Sequence, residues 1–95
     1  MSEVTEHEVE FTVQRELGLH ARPASQFVAL AGRFQSEVTV GRDHEWVDGR
    51  SVLSLLSLAA GSGTALRIRA TGPDAAEAVE ALGKLLEDQE LDALR

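Results

Sequence analysis

The 95-residue chain contains no cysteine, which excludes disulfides and zinc–thiolate sites and is compatible with a cytoplasmic location. It has no run of the about 18 consecutive apolar residues that a membrane-spanning helix requires, so a soluble globular protein without membrane insertion is expected. The opening stretch from Met1 to Glu8 is acidic and has no apolar centre, and no signal peptide is read there. Positive charge is also scarce: nine Lys and Arg stand against sixteen Asp and Glu, a net charge of −7. A nucleic-acid backbone would be repelled by such a body, so no nucleic-acid partner is expected. Most catalytic vocabularies are missing as well. There is no GxxxxGK[ST] loop and no histidine pair at i, i+4, and the carboxylates are spread along the chain rather than paired. Neither a cofactor nor a metal is expected.

What is present fits one domain with a single modest core, at 43% hydrophobic content. Residues 1–7 and 89–95 read as loose ends of that domain. Glu8 to Gln14 alternates, with Val9, Phe11 and Val13 on one face, which predicts a strand with one wet side. Ala21 to about Gly32 carries Ala24, Phe27, Val28, Leu30 and Ala31 at helical spacing, with Gly32 as its stop. Phe34 to Val40 predicts a second strand. The stretch Gly41-Arg42-Asp43-His44 then turns the chain into a third, Glu45 to Asp48, whose Trp46 is expected to pack on the sheet. Ser51 to Ala60 predicts a second helix ended by Gly61-Ser62-Gly63. Ala65 to Thr71 predicts a fourth strand with Arg67 and Arg69 outward, opposite the acidic face of the first. Gly72-Pro73-Asp74 opens a last helix with Ala78, Val79, Leu82, Leu85 and Leu86 as its core stripe. The order βαββαβα, with helices over one face of a mostly antiparallel four-stranded sheet, is an open-faced α+β sandwich.

One stretch carries chemistry: Gly18-Leu19-His20-Ala21-Arg22-Pro23-Ala24. A helix start leaves backbone N–H groups unpaired and carries partial positive charge, so it receives anions. Gly18 permits a tight turn into that start, and Pro23 in the first turn gives up an N–H that would have been orphaned. An imidazole at the mouth, with Arg22 two residues on, could hold a phosphoryl group between backbone donors and a guanidinium. Arg15, Arg22, Arg33 and Arg50 fall near the GLHARPA stretch and the start of the second helix, which suggests a locally basic site on an acidic body. His7 and His44 lie in a tail and a turn, away from His20. The second helix holds more apolar residues than one buried stripe of a short helix uses. Its surplus, Val52, Leu53 and Leu56, is expected to form a partner surface.

The run GLHARPA, followed about thirty residues later by Arg50-Ser51-Val52-Leu53-Ser54-Leu55-Leu56-Ser57-Leu58, resembles the HPr family, the histidine-containing phosphocarriers of the bacterial phosphotransferase system. The similarity spans about residues 8 to 88. The resemblance implies a sheet order of first, fourth, second, third strand. It implies that His20 takes a phosphoryl group on ring Nδ1 from phosphorylated enzyme I and hands it to enzyme IIA domains, with Arg22 steadying the group. Such a carrier is a substrate of its partners rather than an enzyme that turns over alone, and a monomer is expected. Ser51 matches the family's regulatory phosphorylation site, served where present by an HPr kinase/phosphatase, and is also a good helix cap. Val52, Leu53 and Leu56 match its hydrophobic contact positions. The resemblance leaves open a sugar branch, a nitrogen-regulatory branch, or a regulatory module whose His20 is never phosphorylated. Lysines frequent along the family's first helix are missing here, where Ala29 and Gly32 stand.

Overall fold

The computed structural model describes residues 5–14 and 18–87. Seven elements follow in order: β1 (Thr5–Thr12), α1 (Ala21–Ala31), β2 (Glu37–Arg42), β3 (Glu45–Asp48), α2 (Val52–Ser57), β4 (Ala65–Gly72) and α3 (Ala75–Glu87). The sheet order is β1-β4-β2-β3 with every pair antiparallel, as the family likeness implies. Alternation along β4 decides the layering. Leu66, Ile68 and Ala70 point inward and are fully buried, as are Phe27 of α1, Leu55 of α2, and Leu82 and Leu86 of α3, all in one core. Each such large side chain contributes about 1.5–3 kcal/mol when fully buried.

The opposite face of the sheet is polar and internally paired. Arg69 meets Glu8 at 3.0 Å and Glu6 at 3.4 Å, and Arg67 reaches Glu8 at 3.7 Å, the cross-strand pairing that the acidic face of the first strand suggested. Trp46 lies flat over Gly41, where a Cβ would come within 2.8 Å of the ring. The guanidinium carbons of Arg69 and Arg67 sit 4.1 and 4.9 Å from the indole centre. The tryptophan is therefore a sheet-packing residue.

Several boundaries differ from the sequence reading, each because a distant part of the chain claims the backbone. Residues 5–7 are not tail but strand, pairing with Gly72, Thr71 and Ala70; residues 1–4 and 89–95 lie outside the described residues. β1 also ends at Thr12, earlier than Gln14: Val13 N–H and C=O turn to Thr64 and Gly63, and Gln14 N–H to Leu86. The second strand starts at Glu37 rather than Phe34. The Asp74 carboxylate accepts the N–H groups of Gln35 (2.9 Å) and Ser36 (3.0 Å) and the Ser36 hydroxyl (2.6 Å). Arg50 donates to the carbonyls of Phe34 (2.9 Å) and Ser36 (2.8 Å), so most of the backbone groups of this stretch are claimed before a ladder could use them.

The second helix is six residues long, not ten. It stops at Leu58 because Ala59 adopts a left-handed φ of +52°, a conformation that costs a residue with a side chain about 1–2 kcal/mol. Arg42 donates to the carbonyls of Leu58 (2.7 Å) and Ala59 (2.8 Å) across that break. The turn at Gly61 to Gly63 comes after the helix has ended and leads into β4.

Candidate functional site

His20 is the N-cap of α1, with extended backbone (φ −94°, ψ −168°), and its side chain makes no capping hydrogen bond. Its carbonyl accepts from Ala24 N–H at 3.0 Å, the first helical bond. Pro23 has no N–H, so the helix offers no acceptor to the N–H groups of Ala21 and Arg22, which open at its mouth. The ring is half-exposed and, among the described residues, without a hydrogen-bond partner.

The loop is held from below. Gly18 has φ +76°, and a Cβ there would lie 2.6 Å from the carbonyl oxygen of Ala60 and 2.8 Å from the Cα of Gly61. Only glycine satisfies both the left-handed backbone and the close approach. Leu19 is buried and donates its N–H to that same Ala60 carbonyl at 2.8 Å. The imidazole is thus presented by a pinned turn rather than by a free loop.

Arg22 is exposed in the first turn of α1, with its guanidinium free of carboxylates among the described residues. The wider basic cluster expected from the sequence does not assemble. Arg33 follows the C-terminal end of α1, about 16 Å along the axis from His20 for an 11-residue helix. Arg50 is engaged with the α1–β2 loop, and Arg15 lies outside the described residues. Arg22 is therefore the described arginine at the helix mouth.

Ser51 caps α2: its hydroxyl accepts Ser54 N–H at 3.2 Å and its carbonyl accepts Leu55 N–H at 3.0 Å. Beyond it, Leu53 is 80% exposed, while Val52 and Leu56 are half-buried against the core edge. Leu55 is the buried residue of the six-residue helix, and of the three residues expected to face a partner only Leu53 stands clear of the core. α1 and α2 pack together, and the Ala60–Leu19 bond joins the exit of α2 to the His20 turn.

Arg42, Asp74 and the loop contacts of Arg50 were not read from the sequence as supporting parts. An arginine ending a strand and an aspartate before a helix are ordinary surface patterns, and nothing in their spacing marks them. The Asp74 carboxyl is held below its ordinary value, first by the Ser36 hydroxyl and then by the Gln35 N–H. No described helix is long and apolar enough to cross a membrane, and no described group of three or more His, Asp or Glu side chains could hold a metal.

A small α+β domain that offers one half-exposed imidazole at an open helix mouth is the architecture of a phosphohistidine carrier. Residues 7–88 match the model of the PTS HPr component phosphorylation site family. Phosphocarrier protein HPr of Pseudomonas aeruginosa is 44% identical over 82 residues, covering 85% of this chain and 91% of that one. The crystal structure of phosphocarrier protein HPr from Bacillus anthracis superposes with a TM-score of 0.83 at 35% identity, covering 86% of this chain and 98% of that one. Bacillus subtilis Crh, described as a domain-swapped intertwined dimer, superposes with a TM-score of 0.70 at 40% identity, covering 79% and 86%. The chain belongs to the HPr family of phosphotransferase-system phosphocarriers. Since one relative of this fold is a dimer, the expected monomer does not follow from the fold.

Proposed function

We propose that His20 accepts a phosphoryl group from phosphorylated enzyme I and passes it to an enzyme IIA-type acceptor of a sugar branch, in the cytoplasm and as a monomer. The observation that carries this reading is the mouth of α1, where the His20 imidazole, making no capping bond, stands beside Arg22 and the backbone N–H groups of Ala21 and Arg22, which have no partner among the described residues. The lone pair of His20 Nδ1 attacks phosphorus as the N–P bond to the donor imidazole breaks. The attacking tautomer carries its ring proton on Nε2. The donor ring keeps the bonding pair and takes up a proton, and the phosphorylated His20 ring gives up its Nε2 proton, so the exchange is neutral in protons. The reverse exchange delivers the group to the acceptor. Phosphoryl transfer asks mainly for position and charge stabilisation, which Arg22 and the helix mouth supply without metal or cofactor.

Leu53, with Val52 and Leu56, is proposed as the surface on which the partners dock. Ser51 is a cap first. Where an HPr kinase/phosphatase acts on it, a phosphate there would place negative charge at the rim of that surface and weaken docking to acidic partners. The presence of both His20 and Arg22 favours a carrier over a regulatory module that is never phosphorylated. A nitrogen-branch acceptor is the alternative destination.

The test is incubation with enzyme I and phosphoenolpyruvate followed by intact mass. The parent should gain one acid-labile, base-stable phosphoryl group and His20→Ala none. Uptake by His20→Ala would remove His20 from the role. Arg22→Lys keeps the charge but loses the planar fork, so slower transfer with an intact fold is expected. Equal rates in Arg22→Lys, Arg22→Ala and the parent would take Arg22 out of the site.

A further inference from the structure

We infer that Arg42 is a positioning residue for phosphoryl transfer, acting on His20 through the exit of α2; this rests on the carrier reading above. Arg42 ends β2, and its backbone is fixed in the ladder opposite Glu45. From that rigid base one guanidinium nitrogen donates to both Leu58 and Ala59 carbonyls, at 2.7 and 2.8 Å. These are the carbonyls of the C-cap residue of α2 and of the residue just beyond it, at the negative end of the helix dipole. The guanidinium satisfies them and holds Ala59 in its left-handed conformation, a place where glycine is the usual residue.

The consequence lies one residue further on. The carbonyl of Ala60 accepts Leu19 N–H at 2.8 Å, and Gly18 packs on the same peptide. The direction of the Ala60 carbonyl therefore fixes the backbone that presents the imidazole. The chain of contacts runs from Arg42 to Leu58 and Ala59, to Ala60, to Leu19, and to His20. Arg42 touches neither the ring nor Arg22 in any described hydrogen bond, so its effect on transfer is one of aim.

The arrangement separates two ways of holding the α2 exit. Arginine holds it by satisfying the carbonyls, whereas glycine at position 59 would hold it by removing the cost of a positive φ. If aim is what matters, the second device should partly replace the first.

Enzyme I-dependent phosphorylation, with phosphoenolpyruvate as donor and the carrier concentration varied, tests this in the parent, Arg42→Ala, Arg42→Lys and the double variant Arg42→Ala/Ala59→Gly. Amide exchange is measured on the same proteins. Arg42→Ala should lower kcat about tenfold with KM within about twofold, since a small misplacement of a reacting group is costly. Exchange at Leu19 should rise by about tenfold while Ile68 and Val40 in the sheet stay protected. Arg42→Lys and the double variant should each recover part of kcat. An unchanged kcat in Arg42→Ala overturns the inference, as does a fall in kcat matched by equal loss of protection at Ile68. A parent that takes up no phosphoryl group overturns the carrier reading and this inference with it. A phosphorylated parent with indifferent variants overturns this inference alone.

Discussion

The two helices bordering the proposed transfer surface begin in opposite ways. α2 starts on Ser51, whose hydroxyl closes back onto Ser54 N–H, and its exit is held by Arg42, which donates to the carbonyls of Leu58 and Ala59 just past the helix. α1 starts on His20, whose side chain makes no cap, and among the described residues its first N–H groups have no partner. A helix built only for stability is capped, because an unsatisfied end costs free energy. α1, the longer helix, anchored by Phe27, Ala24 and Ala31 in the core, tolerates an open end. The six-residue α2 has a single fully buried side chain, Leu55, and is closed at both ends. The open start is where an anion can be received, and the closed one supports it.

The largest expected effect on stability comes from Gly18→Ala, which combines a positive φ with a collision against the Ala60 carbonyl. Urea unfolding should show a loss of about 2–3 kcal/mol, and a loss below about 0.5 kcal/mol would mean that the turn is not pinned. Ser51→Ala comes next. Losing the α2 cap should cost about 1 kcal/mol, whereas His20→Ala at the uncapped start should stay within about 0.5 kcal/mol. Equal costs at the two sites would erase the contrast between the helices.

A smaller effect, confined to acid, belongs to the third helix start. The folded pKa of Asp74 lies below its ordinary value of 3.8, so its contribution is fully present above that value. It is lost as the pH falls through the lowered folded value. Asp74→Asn should flatten the acid limb of a stability–pH profile, and an unchanged limb would show that the Ser36 and Gln35 bonds do not depend on the charge. Leu53→Ala should have the least effect on stability, within about 0.5 kcal/mol for a side chain 80% exposed. Its KM for enzyme I-dependent phosphorylation should nonetheless rise several-fold. A large stability loss would make Leu53 a core residue and remove the docking surface.

The elements legible in the sequence were those set by local periodicity. Leu66, Ile68 and Ala70 alternate with Arg67 and Arg69, and that alternation alone placed β4 between a core and an acidic neighbour. GLHARPA placed His20 at a helix start because Gly18 and Pro23 each have a backbone reason to be there. What escaped was set by side chains reaching across the fold. The apolar run through Leu58 and Ala60 reads as helix to the end, yet Leu58 and Ala60 are buried after the helix has stopped, on a turn that Arg42 satisfies. Phe34 to Ser36 reads as strand, but Asp74, 38 residues beyond Ser36, takes the hydrogen bonds a strand would need. The basic cluster failed for the same reason: linear proximity to the motifs says nothing about which carbonyls Arg50 will meet.

The open helix mouth can be tested most directly by the backbone amide resonances of Ala21 and Arg22 before and after enzyme I-dependent phosphorylation. If those N–H groups receive the phosphoryl oxygens on His20, both amide protons should move strongly downfield, while Ser54 N–H, already bonded to Ser51, should hardly move. Phosphorylated protein in which Ala21 and Arg22 stay where they were would contradict the claim that the uncapped start of α1 is what holds the group.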